Sequence, residues 1–176
     1  MEPAERVILW LLLAKNDKFR REYYSGSITA EDYWPRWRSV WDSSHQFTAY
    51  FEGDLEICNE VLGSLFSQHI EFRSLFMTTG ENNKLISLQN QVDIFRGGQQ
   101  ANIAGWSWTL ERNHAEHYAR SGATDDRPLI TIARNLPSSA VLAYLEKDGF
   151  SELIVDPLTV TIETASFGGI EFERLY

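Results

Sequence analysis

The first place where this sequence could hold an anion is Arg96-Gly97-Gly98, an arginine that closes a short apolar run and opens onto two glycines. A guanidinium presents a planar fork of donors to phosphate oxygens, and glycines let a ligand come close to the main chain. Ser107 and Thr109 lie in Gly105-Trp106-Ser107-Trp108-Thr109. Being two residues apart, they face the same side of an extended segment. Glu152 opens the apolar run Leu153-Ile154-Val155, just after Asp148-Gly149. A carboxylate at the mouth of a sheet is costly to bury unless something binds it, and a serine hydroxyl can. Taken singly, each has a plainer reading: a surface ion pair for Arg96, a helix cap for Ser107 and Thr109, an exposed strand end for Glu152. Their order and spacing together favour a site. His114 and His117 stand three apart, a spacing metals use, but no third ligand accompanies them, so they read as surface histidines and no metal is expected. The phosphate-cradling GxxxxGK[ST], a GxGxxG after a strand, HExxH and GxSxG are all absent.

The elements that must position these residues change character along the chain. Helical patterns fill the first half, beginning with residues 4–24. Thr29 or Asp32 caps the next helix, which accommodates Pro35 only in its first turn. Trp34, Trp37 and Trp41 share one face of it and read as core. Asp54 caps a helix running to about Phe76, and Thr78 or Thr79 a short turn through Leu85. Period-two patterns follow. Val92 to Phe95 forms a strand that the glycines at 97 and 98 end, and Thr109 caps a helix from Leu110 to about Arg120. Strands are expected at Leu129–Ala133 and Ala140–Tyr144, joined across Pro137-Ser138-Ser139. Others are expected at Leu153–Val155, Thr159–Ile162 and Ile170–Leu175, the last two joined by a turn at Gly168-Gly169. This is an α+β architecture, a helical region over 1–88 packed on a β-rich core over 89–176 as one compact unit.

Composition narrows the classes of function. Apolar residues are 43% of the 176 and the net charge is −9, so the chain can build a core and is unsuited to nonspecific binding along a phosphate backbone. One cysteine, Cys58, permits no internal disulfide, which together with the lack of a targeting segment predicts a cytoplasmic protein. The apolar run from Val7 to Ala14 is eight residues long, against the roughly 20 that a membrane helix needs, and reads as a buried helix.

Phe76-Met77-Thr78, Val92-Asp93-Ile94-Phe95-Arg96-Gly97, Gly105-Trp106-Ser107-Trp108-Thr109, Ala115 with Tyr118-Ala119, and Glu152-Leu153-Ile154-Val155 occur in an order that resembles bacterial and phage ADP-ribosyltransferase-like proteins of the Arg–Ser–Glu type. The resemblance covers residues 76–156, and the Ser-Trp-Thr segment followed by Ala-x-x-Tyr-Ala is its most specific part. It implies a small, mostly antiparallel, split β-sheet core and NAD as substrate. Arg96 would hold the dinucleotide phosphates, and Gly97 would let the nicotinamide amide reach main-chain groups. Ser107 would orient Glu152, with Thr109 shaping the same strand end. Glu152 would bind the hydroxyls of the nicotinamide-side ribose and stabilise the positive charge that grows as the glycosidic bond breaks. Trp106, Trp108 or Tyr118 could stack on a ring, core packing being the job of at least two of them.

The resemblance further implies a mono-ADP-ribosyltransferase acting on a macromolecular acceptor, protein in preference to nucleic acid, as a toxin, effector or phage counter-defence protein. One departure stands out. Phe150 occupies the position where many members carry a Glu or Gln that activates the acceptor, which puts transfer to arginine side chains in doubt. Two alternatives follow: a catalytically inactive binding protein or inhibitor of the same fold, and an NAD glycohydrolase.

Overall fold

The computed structural model describes residues 21–22, 25–44, 47, 51, 53–98, 104–121, 129–147, 149–162, 164–167 and 170–173. The helix expected over 4–24 (all but residues 21–22) and the turn at 168–169 lie outside them. The chain is α+β and divides into two compact units, residues 1–78 and 79–176. Among the described residues no helix is long and apolar enough to cross a membrane.

In the first unit, helix α1 (Ala30–Ser43) begins where the Thr29 side chain accepts the Asp32 N–H, and α2 (Leu55–Phe66) where Asp54 accepts the Ile57 N–H. Each cap satisfies an N–H that the helix itself leaves without a partner. The tryptophan stripe is core. Tyr33, Trp34, Trp37 and Trp41 are buried, and the three tryptophans each meet Phe66 at ring-centroid distances of 5.6–6.0 Å. Tyr33 Oη donates to the Leu65 carbonyl and Trp34 Nε1 to the His69 carbonyl, whereas the buried Trp37 Nε1 has no hydrogen-bond partner among the described residues.

Two expectations fail here. Pro35 sits in the second turn of α1, not the first. It lies on the exposed side with Glu31, whose carbonyl loses the Pro35 N–H as a partner where water can replace it. The helix from Asp54 stops at Phe66 and does not reach Phe76. The Ser67 hydroxyl folds back onto the Gly63 carbonyl and His69 adopts a left-handed φ of 44°, after which Ile70–Phe76 continues as a 3₁₀ turn.

The second unit opens with α3 (Thr79–Ile86) and then forms two antiparallel sheets. The first has strand order β1 (Gln91–Gly98), β3 (Leu129–Pro137), β6 (Thr164–Phe167) and β7 (Ile170–Glu173). The second has order β2 (Ser107–Trp108), β5 (Phe150–Val155) and β4 (Val141–Lys147). Helix α4 (Arg112–Ser121) covers the first sheet, placing Ala115 and Ala119 against Ile130 and Ile132.

Several sequence expectations change in this unit. The glycines at 97 and 98 lie within β1, which ends at Gly98, and pair with Ile130 and Leu129 of β3. Helix α4 begins at Arg112, not Leu110. The strand expected at Thr159–Ile162 is displaced to 164–167, because Asp156 caps a 3₁₀ turn over Pro157–Thr159. β3 and β4, joined through the expected Pro137-Ser138-Ser139 segment, pair in different sheets.

Candidate functional site

The two sheets meet at a three-residue segment. Ser107 and Trp108 pair with Ile154 and Leu153 of β5, and the Trp106 carbonyl accepts the Val155 N–H. Thr109 then leaves β5 and bonds to Phe95 of β1, with N–H to carbonyl in both directions at 2.8 Å. Trp108 Nε1 donates to the Gly105 carbonyl and fixes the turn before β2.

Ser107 and Glu152 come together because Ser107 opposes Ile154, and Glu152, two residues before Ile154, shares that face of the strand. The Ser107 hydroxyl donates to Glu152 Oε1 at 2.7 Å. Arg96, from β1 of the other sheet, donates from Nη1 to the Ser107 carbonyl at 2.6 Å. Its guanidinium lies flat against Gly105, where a Cβ would come within 2.6 Å of Cζ and Nη2. Arg96, Ser107 and Glu152 are all partly exposed, so the trio joins a cation, a hydroxyl and a carboxylate that solvent can reach. Such a constellation can hold an anion at one end and stabilise developing positive charge at the other.

The remaining expected site residues make other contacts. Gly97 is buried under α4: a Cβ there would stand 2.0 Å from the Ala115 carbonyl oxygen and 2.7 Å from the Ala119 nitrogen. Close helix packing accounts for this glycine. Thr109 does not face the same way as Ser107, because the segment has crossed to β1. Its buried hydroxyl accepts the Glu111 N–H and donates to the Glu111 carboxylate at 2.6 Å. Trp106 and Trp108 are core, whereas Tyr118 is exposed on α4 and meets the His114 ring edge-on. His114 is no surface histidine; it is half-buried, and its ring stacks on Phe150 at 4.0 Å and 10°.

Glu111 and Ser151 had no signal in the sequence beyond a threonine two residues before an acid. Glu111 Oε2 collects the Thr109 hydroxyl, the Ser151 hydroxyl at 2.6 Å and, at 3.4 Å, the Ser151 N–H. Burial alone would push this carboxyl upward, but the Ser151 and Thr109 donors outweigh it and hold the group below the usual carboxylate value. A depressed folded-state value means that its stabilisation is present above the ordinary carboxylate range and is lost as pH falls through the folded value. The unsubstituted protein is therefore expected to lose thermal stability more steeply than Glu111→Gln as pH falls below the ordinary carboxylate range of about 4. Thermal melts across that window check it; parallel curves contradict it.

Among the described residues no group of three His, Cys, Asp or Glu is placed to hold a metal ion. No protein-family model matches the chain, and no curated protein or solved structure matches it.

Proposed function

We propose that this protein is an NAD-dependent mono-ADP-ribosyltransferase, its second unit being the split-sheet core of that fold. The observation that carries the reading is the Ser107 hydroxyl on Glu152 Oε1, with Arg96 bound to the carbonyl of the same serine. Three residues separated by up to 56 positions converge on one short segment, in the order the resemblance requires. Arg96 would take the dinucleotide phosphates by charge-assisted hydrogen bonds. Ser107 holds the Glu152 carboxylate in place, and Glu152 accepts from the hydroxyls of the nicotinamide-side ribose. As the bond from C1′ to the nicotinamide nitrogen breaks, its electron pair leaves with nicotinamide and positive charge builds on the ribose beside Glu152. The acceptor's nucleophile then bonds to C1′ and releases its proton to solvent.

Phe150, stacked on His114, places an aromatic pair where an acceptor-activating carboxylate would otherwise stand. This favours an acceptor other than the strongly basic arginine side chain. It is also the observation on which the second reading rests, a binding protein of this fold without catalysis. Incubating the protein with NAD and a cell lysate, beside Glu152→Gln, separates the readings by mass spectrometry. An ADP-ribose adduct formed only by the unsubstituted protein supports transfer and identifies the acceptor. NAD consumed without an adduct indicates a glycohydrolase. Intact NAD in both samples leaves the binding protein.

The phosphate role of Arg96 has its own test in Gly105→Ala. The added methyl must push the guanidinium away, since a Cβ would lie 2.6 Å from it. Losing one charge-assisted contact of about 1.5–3 kcal/mol corresponds to a rise in KM for NAD of roughly 10- to 100-fold. The flexible arginine end can move, so thermal stability should change little. An unchanged KM would place the phosphates elsewhere.

A further inference from the structure

We infer that Glu111 is a positioning residue for Glu152, acting through Ser151; the inference rests on the function proposed above for Glu152. The β2–β5 pairing is only two residues long. Continuing its register would set Leu110 opposite Ser151, exchanging two main-chain hydrogen bonds, in phase with the bond from Val155 N–H to the Trp106 carbonyl. That exchange does not occur, because the chain has turned at Thr109 to bond with Phe95 of β1. Side chains take its place. Leu110 N–H donates to Ser151 Oγ at 3.0 Å, and the Ser151 hydroxyl donates to Glu111 Oε2 at 2.6 Å. The Ser151 N–H, which the ladder would direct at Leu110, reaches the same carboxylate oxygen at 3.4 Å. The Thr109 hydroxyl donates to that oxygen too, so one carboxylate ties the departing chain to the start of β5.

The next residue along β5 is Glu152, whose bond to Ser107 crosses from one strand to the other. The distance between those strands on the Glu152 side is set by two ladder pairs and by this clamp. Ser151 is 3% exposed and Thr109 5%, so water cannot readily replace Glu111 as their partner. Without it the start of β5 is free to part from β2, and Glu152 swings away from Ser107 and the ribose. Misplacement of about 1 Å at a reacting centre costs on the order of 100-fold in rate.

The test compares Glu111→Ala, Glu111→Gln and Ser151→Ala in kcat and KM for NAD cleavage. It also follows the Glu152 carboxyl chemical shift by NMR in glutamate-labelled protein, the signal being assigned by its loss in Glu152→Gln. Glu111→Ala and Ser151→Ala should each lower kcat by about 10- to 100-fold, with KM within about twofold, and move the Glu152 carboxyl chemical shift. Glu111→Gln keeps an oxygen for the three donors and should retain most of kcat. Folded Glu111→Ala and Ser151→Ala proteins with unchanged kcat and an unmoved Glu152 carboxyl signal overturn the inference. So does a Gln variant as impaired as the Ala variant, because charge and not position would then matter. Should Glu111→Ala fail to fold, Ser151→Ala, which removes only a hydroxyl, decides alone. If the unsubstituted protein does not cleave NAD, the proposed function fails, and the Glu152 carboxyl signal still decides whether Glu111 positions that group.

Discussion

Glu152→Gln is expected to lower the rate of NAD cleavage by about 1,000-fold while leaving thermal stability within a few degrees of the unsubstituted protein. The amide is the same size as the carboxylate and can still accept the Ser107 hydroxyl, so the 2.7 Å contact survives. What it loses is the negative charge. A fixed charge facing a cation that exists only as the glycosidic bond breaks contributes to the transition state and little to the ground state. The loss should therefore appear in kcat, with KM for NAD nearly constant. Stopped assays of released nicotinamide measure both parameters. A Gln variant that cleaves NAD at the original rate would remove Glu152 from the chemistry and with it the proposed function. The prediction has a structural counterpart in Ser107→Ala. That change removes the hydroxyl that orients the carboxylate but spares the charge, so a smaller loss, about tenfold, is expected.

Gly97→Ala should lower the stability of the second unit more than Gly105→Ala does. A Cβ at this position would sit 2.0 Å from the Ala115 carbonyl oxygen and 2.7 Å from the Ala119 nitrogen, both main-chain atoms of α4. Neither can rotate away as a side chain can, so the helix must lift from β1 or β1 must bend. Overpacking of this kind costs about 1–3 kcal/mol and more against rigid backbone, which for a unit of this size lowers the melting temperature by roughly 10 °C. The contrast with Gly105 is informative. There the obstructing group is the movable end of Arg96, and the expected penalty falls on ligand binding instead. Thermal melts of both variants in parallel separate the two glycines. Equal melting temperatures would show that α4 can shift without cost.

The depth of the site's dependence on tertiary structure is clearest in the segment 105–111. Caps, faces and strand signals were legible because they act over three or four residues. Thr29 and Asp54 satisfy N–H groups three positions ahead, and the tryptophans at 34, 37 and 41 fall on one helical face whatever lies opposite. Arg96, Ser107 and Glu152 could be singled out by residue type and order. Their contact could not be derived from periodicity, since it needs β2 and β5 to pair 45 residues apart in one particular register.

The failures at the candidate site share one cause. Alternation placed Thr109 beside Ser107, but that rule holds only while a segment stays in one sheet, and Thr109 crosses to β1. The glycines at 97 and 98 read locally as a chain break, yet they continue β1, with Gly97 making room for α4. Glu111 carried no signal because its partner Ser151 is 40 positions away and is itself an ordinary serine. The sequence by itself determined the caps at Thr29 and Asp54, the apolar face of α1 and the chemical groups available to a site. Tertiary structure alone decided which groups meet. Pairing register and the crossing of one strand between two sheets are properties of the packed core, with no counterpart in any short stretch of the chain.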